Sequence, residues 1–289
     1  MIEQGTQPLP EMPTTIRGWK ALIDETGVRP SKGKGQNFLF ERGVVQRIVR
    51  SAGIVPGDQV VEIGPGLGIL TWELLAAGAS VISIELDWRL AKHLQSFFAN
   101  VPQFRLIEGD ALSVDLADTL PKGPYKIVAN LPYSVAAAVI RRFLEAEHPP
   151  VSMTVMVQKE VALRLMSSPP DMSILSVATQ FFSQPKLAFS VPPGVFIPPP
   201  RVASAVITLT TAAPDLERPA WPRFFRIVHA GFGQKRKNLA NSLSHGLGTE
   251  KSTAESWLRA NGIDPMRRAE TLDISEWVSL TRSAGIDTP

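Results

Sequence analysis

Val60-Val61-Glu62-Ile63-Gly64-Pro65-Gly66-Leu67-Gly68-Ile69-Leu70-Thr71 is the stretch whose reading decides the fold. An apolar run ends around an acid, crosses three closely spaced glycines and resumes as an apolar segment through Trp72, Leu74 and Leu75. That is the pattern of a buried strand, a tight turn and the start of a helix. Glycine suits such a turn because positive φ costs it nothing and no side chain keeps a ligand away from the backbone. N–H groups at the new helix end can then hold polar or anionic groups. The dinucleotide fingerprint G-x-G-x-x-G fails here, since its third glycine would fall on Ile69. A turn that serves packing alone, or one that belongs to another kind of nucleotide site, is the competing reading.

Outward from this stretch, strands are expected at 59–63, 80–85, 104–108, 125–130 and 151–157, with helices at 69–77, 88–98 and 134–146 between them. The alternation predicts an α/β fold with a mostly parallel sheet covered on both faces. Helices follow at 158–166 and 173–182, then a closing antiparallel pair at 186–191 and 203–210 around a proline-dense loop. Beyond Pro214 only helices are expected, at 220–231, 236–245, 250–260 and 273–284, the last two stretches ended by Gly262 and Gly285. Upstream, residues 1–15 bear prolines without periodicity and read as a mobile leader, followed by a short helix within 16–28. The expected division is therefore a leader over 1–28, an α/β domain over 29–213 and a small all-helical domain over 214–289.

Bulk properties exclude several classes. At 44% hydrophobic and 20% charged residues, the composition is that of a globular protein. No apolar run reaches the roughly 18–20 residues that span a membrane, and no secretory signal pattern opens the chain. The absence of cysteine rules out disulfides and thiolate metal sites and suits a cytoplasmic setting. Four scattered histidines give no metal-ligand spacing, so no metal is expected. The net charge of +3 resides in residues 201–289, which hold 12 Lys and Arg against 9 Asp and Glu. A basic tail is compatible with nucleic acid and equally with a solvated helical surface.

Glu85 closes the second expected strand, 21 residues after Gly64. An acid at that distance is placed to accept hydrogen bonds from ribose hydroxyls. Asp110, in Glu108-Gly109-Asp110-Ala111, ends the third strand and suits either an adenine amine or a helix cap. Asn130-Leu131-Pro132-Tyr133 ends the fourth. Ligands of open parallel sheets bind at the carboxyl ends of strands, so this tetrapeptide is expected to face the crevice of the glycine turn. Its groups suit an exocyclic amine: Asn130 Oδ1 and the Leu131 carbonyl can accept the two N–H bonds. Pro132 fixes the direction of the preceding carbonyl, and Tyr133 offers a stacking face. A proline turn beside a core tyrosine is the bland alternative.

The glycine motif resembles the first motif of the S-adenosylmethionine-dependent methyltransferases, whose cofactor has no pyrophosphate to seat. Over about residues 29–285 the chain resembles the ribosomal RNA adenine N6,N6-dimethyltransferases, within them the bacterial small-subunit type. The resemblance is carried by Gln36-Asn37-Phe38-Leu39, Gly109-Asp110-Ala111-Leu112, the Asn130–Tyr133 tetrapeptide and Val157-Gln158-Lys159-Glu160-Val161-Ala162. Further along it rests on Phe196-Ile197-Pro198-Pro199-Pro200-Arg201-Val202-Ala203-Ser204-Ala205-Val206, Gln234-Lys235-Arg236-Lys237-Asn238-Leu239 and Arg268-Ala269-Glu270-Thr271-Leu272.

That resemblance implies a Rossmann-like class I methyltransferase fold with a seven-stranded, mostly parallel sheet and a small C-terminal helical RNA-docking domain. It implies S-adenosylmethionine as cofactor, held by Asn37, Leu39, Gly64, Gly66, Glu85, Asp110 and Asn130. Tyr133 and Phe196 would sandwich the target adenine. The implied reaction dimethylates N6 of two adjacent adenines in a hairpin loop near the 3′ end of small-subunit (16S) rRNA, in ribosome biogenesis. The partner is that rRNA or the pre-ribosomal small subunit, with a monomer expected and no membrane. Lys235, Arg236 and Lys237 are the first candidates for RNA contact, and Lys32, Lys34, Arg141 and Arg142 the second. A large-subunit methyltransferase of antibiotic-resistance type, an inactive ribosome-assembly or transcription factor on the same fold, and a DNA adenine methyltransferase are the rivals.

Overall fold

The structure is a computed structural model that describes residues 8–28 and 37–284. Its strands are β1 (Phe38–Leu39), β2 (Gln59–Ile63), β3 (Ser80–Glu85), β4 (Phe104–Glu108), β5 (Lys126–Asn130), β6 (Ser152–Gln158), β7 (Ser183–Val191), β8 (Phe196–Ile197) and β9 (Ser204–Thr211). The helices of the first part are α1 (Ile16–Glu25), α2 (Arg42–Ser51), α3 (Ile69–Ala76), α4 (Trp88–Phe97), α5 (Leu116–Thr119), α6 (Ala136–Leu144) and α7 (Lys159–Leu165). Those that follow are α8 (Ile174–Phe182), α9 (Trp221–Phe232), α10 (Leu239–Leu247), α11 (Lys251–Ala260) and α12 (Ile274–Ser283).

Seven strands form one sheet in the order β4-β3-β2-β5-β6-β9-β7. The pairs β3–β4, β2–β3, β2–β5 and β5–β6 are parallel, and β9 runs antiparallel to β6. The chain builds outward from β2 to one edge, then returns to β5 and builds toward the other. The strand order therefore reverses between β2 and β5, where open α/β sheets present a crevice beyond the carboxyl ends of their strands. Gly64 follows β2 and Asn130 ends β5, so the two leading motifs border this crevice.

A second, two-stranded sheet pairs β1 with β8, matching Phe38 to Ile197 and Leu39 to Phe196. The expected mobile leader is corrected over residues 8–15. Trp72 Nε1 donates to the Pro10 carbonyl at 2.8 Å, and Thr15 caps α1 by accepting from Gly18 N. Trp19 and Ile23 of α1 then enter the core beside Ile48 and Leu70.

By packing, residues 163–185 group with residues 212 onward as a second compact unit, and residues 186–211 group with the first. In the second unit Phe181 stacks on Phe224 with centroids 4.1 Å apart, and Phe182 meets Trp221 edge-on at 4.8 Å. Trp277 is fully buried against Gly231, where a Cβ would come within 2.5 Å of the indole. The helix expected at 236–245 begins instead at Leu239, because the Asn238 side chain caps it by accepting from Asn241 N. Lys235, Arg236 and Lys237 consequently occupy an exposed turn rather than a helical face. Among the described residues, no helix is long and apolar enough to cross a membrane.

Gly68 has φ 86°, and a Cβ there would lie 2.9 Å from Leu94 Cδ2 and 3.0 Å from Phe98 Cε2. Backbone strain and overpacking add, so Gly68→Ala should lose roughly 2–4 kcal/mol in denaturant unfolding. Gly123→Ala, with open space around it, should stay within about 0.5 kcal/mol of wild type. Equal stability of the two variants would contradict this packing of the Gly68 turn against Leu94 and Phe98.

Candidate active site

Beyond the ends of β2, β3 and β5 lies a cleft of about 750 Å³, partly open to solvent. Asn37, Leu39, Gly64, Gly66, Glu85, Asn130, Leu131, Pro132 and Tyr133 all line it. Sequence positions more than ninety residues apart are thus gathered on one wall by the reversal of strand order. Gly66 has φ 60°, and a Cβ there would press on the Phe38 ring at 3.3 Å. A bare backbone at this point lets the β1 segment close over the turn.

Glu85 is the structural hinge of the site. Its Oε2 accepts from Gly66 N at 3.1 Å and its Oε1 from Asp87 N at 2.9 Å. One carboxylate thereby fixes the glycine turn to the start of α4. Each oxygen retains a second lone pair for a hydroxyl donor. Burial raises the Glu85 pKa, and the two backbone N–H groups oppose that rise.

Glu62 also lines the cleft, a role that strand periodicity alone did not assign. Only 1% exposed, it accepts at Oε2 from Thr71 Oγ1 at 2.6 Å and Ser83 Oγ at 2.8 Å. Its Oε1 is buried without a hydrogen-bond partner among the described residues. Desolvation raises its pKa to about 7 against the pull of both hydroxyls, with the Glu85 charge adding to the rise. The signal for Glu62 was present in the sequence: an acid inside an otherwise apolar strand, immediately before the turn.

The Asn130–Tyr133 tetrapeptide is held at both ends. Leu131 N donates to the Met156 carbonyl at 3.1 Å, and Val135 N to the Pro132 carbonyl at 3.1 Å. Tyr133 Oη bonds Ser204 Oγ at 2.7 Å, which pins the ring on its phenolic edge. Burial raises the phenol pKa, with the Ser204 bond opposing, so Tyr133 is suited to presenting a ring face rather than a proton.

Other candidates are placed elsewhere. Asp110 is not among the lining residues. Its Oδ1 accepts from Leu112 N at 2.8 Å, and its carbonyl accepts from Val114 N at 2.9 Å, so it caps the turn after β4. Phe196 is 2% exposed in the core, paired with Leu39 across the small sheet, and does not line the cleft. Arg142 donates through both terminal nitrogens to the Leu112 and Val114 carbonyls, which anchors that same loop rather than offering a charge to a partner. Arg141 pairs with Glu145 one helical turn on at 2.6 Å. Lys32 and Lys34 lie outside the described residues.

The doubly wound sheet, its crevice at the β2/β5 reversal and the glycine turn joined to an acid at the next strand end define a Rossmann-like class I S-adenosylmethionine-dependent methyltransferase. The chain belongs to the ribosomal RNA adenine dimethylase family, whose pattern matches residues 30–283. It is 43% identical over 270 residues to Ribosomal RNA small subunit methyltransferase A of Dehalococcoides mccartyi, covering 93% of each chain. The protein of the same name from Moorella thermoacetica is 42% identical, with 91% of this chain and 95% of that one covered. Among solved structures, the 23S rRNA methyltransferase ErmE superposes with a TM-score of 0.68 at 29% identity, over 86% of this chain and 99% of that one. A dimethyladenosine transferase from Plasmodium falciparum shares the fold, with a TM-score of 0.71 at 24% identity over 84% and 95%.

The raised pKa of Glu62 carries a pH signature. Between its ordinary value near 4.5 and about 7, the folded chain binds a proton that the unfolded chain has released. Stability in the absence of ligand should therefore fall as pH rises through that window, by roughly 3 kcal/mol at full ionisation. Glu62→Gln keeps an acceptor for Thr71 and Ser83 and removes the ionisation. Denaturant unfolding at about pH 5 and about pH 8 should show a smaller loss in the variant. An identical loss in both proteins would assign Glu62 an ordinary carboxyl.

Proposed function

We propose that the chain transfers methyl groups from S-adenosylmethionine to N6 of two adjacent adenines in a hairpin loop near the 3′ end of small-subunit rRNA. The product is N6,N6-dimethyladenosine, and the role is in small-subunit biogenesis. The observation that carries the reading is that Asn130-Leu131-Pro132-Tyr133 shares one cleft with the glycine turn and Glu85. The choice of the small subunit rests on relatives of that name at up to 43% identity across nine-tenths of the chain, against 29% for ErmE.

The cleft fits this cofactor on its own chemistry. Glu85 has lone pairs left for ribose hydroxyls, and the unpartnered Oε1 of Glu62 is a receptor for a cationic group. Asn37 and Leu39 line the same cleft as Gly64 and Gly66. Asp110 caps the turn after β4 and is not among the residues that line the cleft. When bound, the cofactor supplies a methyl group activated by a sulfonium. The chain's own work is to place the acceptor nitrogen. The lone pair of an adenine amine is delocalised into the ring and becomes nucleophilic as the nitrogen turns pyramidal. Asn130 Oδ1 and the Leu131 carbonyl accept its two N–H bonds and favour that geometry. Tyr133, pinned by Ser204, offers the base a face to stack on, and Phe196 backs the site from the core beside Leu39. An alkylated amine is cationic, so its proton can pass to water without a dedicated base. Fixed orientation and exclusion of water supply the acceleration. An unpaired loop adenine is cheaper to extrude than a paired one. Lys235, Arg236 and Lys237, exposed on one turn, are the first phosphate contacts, with Arg141 secondary.

Methyl transfer from labelled cofactor to a small-subunit 3′ hairpin, followed by mapping of the modified bases, tests this reading. Label on the two adjacent adenines is expected, and transfer to DNA or to large-subunit RNA instead would overturn it. Glu85→Ala should weaken calorimetric binding of S-adenosylmethionine by roughly 1–3 kcal/mol, the worth of a charged hydrogen bond. Unchanged affinity would remove Glu85 from the ribose site. Tyr133→Ala should lose methyl transfer while retaining most cofactor affinity, because its partner is the base. Near-normal turnover in that variant would contradict the stacking role.

A further inference from the structure

The second compact unit contains a cleft of its own, about 820 Å³ and open to solvent, between α9 and α10. Arg226 and His229 lie on one face of α9, three residues apart, with Gly233 just past its end, and Ser242, His245 and Gly246 share a face of α10 at spacings of three and four residues. Gln234 closes the end next to the Lys235–Lys237 turn. No carboxylate lines it, and Arg226 makes no ion pair among the described residues. The floor is Ser242, 1% exposed, whose Oγ is buried without a partner. The two helices are pressed together here, since a Cβ at Gly246 would come 2.6 Å from Ala230 Cβ. Small residues account for that close approach. They do not account for a hydroxyl at 242, where alanine would pack equally well and leave nothing unsatisfied.

We propose that this cleft is a phosphate subsite for the RNA backbone, with Arg226 supplying the fixed charge and Ser242 Oγ, Gln234 and the two imidazoles supplying hydrogen-bond donors. It rests on the reading of the chain as an RNA methyltransferase and extends it to a site apart from the Lys235–Lys237 turn. Each donor type is one that bonds phosphate oxygen in nucleic-acid complexes. The histidines add what the neighbouring lysines lack: exposed ring N–H donors carried on the two helices that line the cleft.

The test is RNA affinity of the full chain across a range of potassium chloride concentrations, read against the same 3′ hairpin. In the triple variant Arg226→Gln, His229→Gln, His245→Gln, the slope of log affinity against log salt should flatten by about 0.7–0.9, the value of one lost phosphate contact. Cofactor affinity should not move. Arg226→Lys should keep most of the slope. Ser242→Ala should bind RNA several-fold more weakly without a lower thermal midpoint, which a packing role for the serine would not produce. Wild-type slope and affinity in a folded triple variant would overturn the proposal, as would stoichiometric zinc binding that the variant loses while its RNA slope stays intact. Methyl transfer by the wild type is measured alongside. If it fails, the RNA reading falls, and inorganic phosphate judges the cleft: it should raise the thermal midpoint of the wild type above that of the triple variant relative to chloride at equal ionic strength. An equal response in both would overturn the subsite as well.

Discussion

One carboxylate holds the site in shape. Glu85 reaches back from the end of β3 to Gly66 N and forward to Asp87 N, so the turn after β2 and the start of α4 are tied to a single buried charge. The tie works only because the turn carries almost no side-chain volume. Phe38 lies against Gly66 from one side, and Leu94 and Phe98 lie against Gly68 from the other. Any side chain at either glycine would push the backbone off the acid, and the cleft would lose its floor. Burying the carboxylate raises its pKa, and two backbone N–H bonds offset part of that cost. A ligand that donates hydroxyls to the remaining lone pairs would offset more, so the cleft is stabilised by being filled.

Glu62 shows the same logic without the same satisfaction. It sits two residues before the turn and takes two hydroxyl bonds on one oxygen, leaving the other bare at the cleft wall. A buried acid whose pKa is raised by burial and further by the charge of Glu85 is costly without a partner for that charge. Both acids become favourable when a cation and a pair of hydroxyls arrive together, which is what the two ends of S-adenosylmethionine's charged and sugar portions present. Selectivity for this cofactor over a dinucleotide then has an electrostatic basis as well as the missing third glycine. A pyrophosphate would meet two carboxylates.

Much of this was legible in the sequence because its signals were local. The glycine turn, the alternation of apolar strands with amphipathic helices, and an acid at the next strand end each lie within a short window. Alternation and turn together specify the parallel sheet, and the sheet brings Asn130 beside Gly64. What stayed hidden depends on contacts between distant positions. The pairing of Phe38–Leu39 with Phe196–Ile197 joins two dipeptide strands separated by most of the first unit, and no window contains both. Residues 8–15 read as a leader because nothing in them announces that the Pro10 carbonyl will meet the Trp72 indole. Arg142 read as a surface cation because the two carbonyls that take its guanidinium belong to a loop some thirty residues earlier. The helix expected from the sequence starts at 236, before the cap. The cap at Asn238, a stronger local signal, moved the start to Leu239.

That displacement changes what the basic cluster can do. On a helix, three successive cations would diverge around the axis, and only one or two could meet the same strand of phosphates. On a turn, with the chain direction changing at each residue, Lys235, Arg236 and Lys237 are free to converge. The Asn238 cap thus does more than begin a helix. It keeps the preceding residues out of helical register, leaves their side chains exposed, and sets them beside the end of the cleft that Gln234 closes. Charge and cavity are adjacent because one asparagine side chain satisfies Asn241 N, and substituting it would let the helix extend into the turn that holds the three cations together.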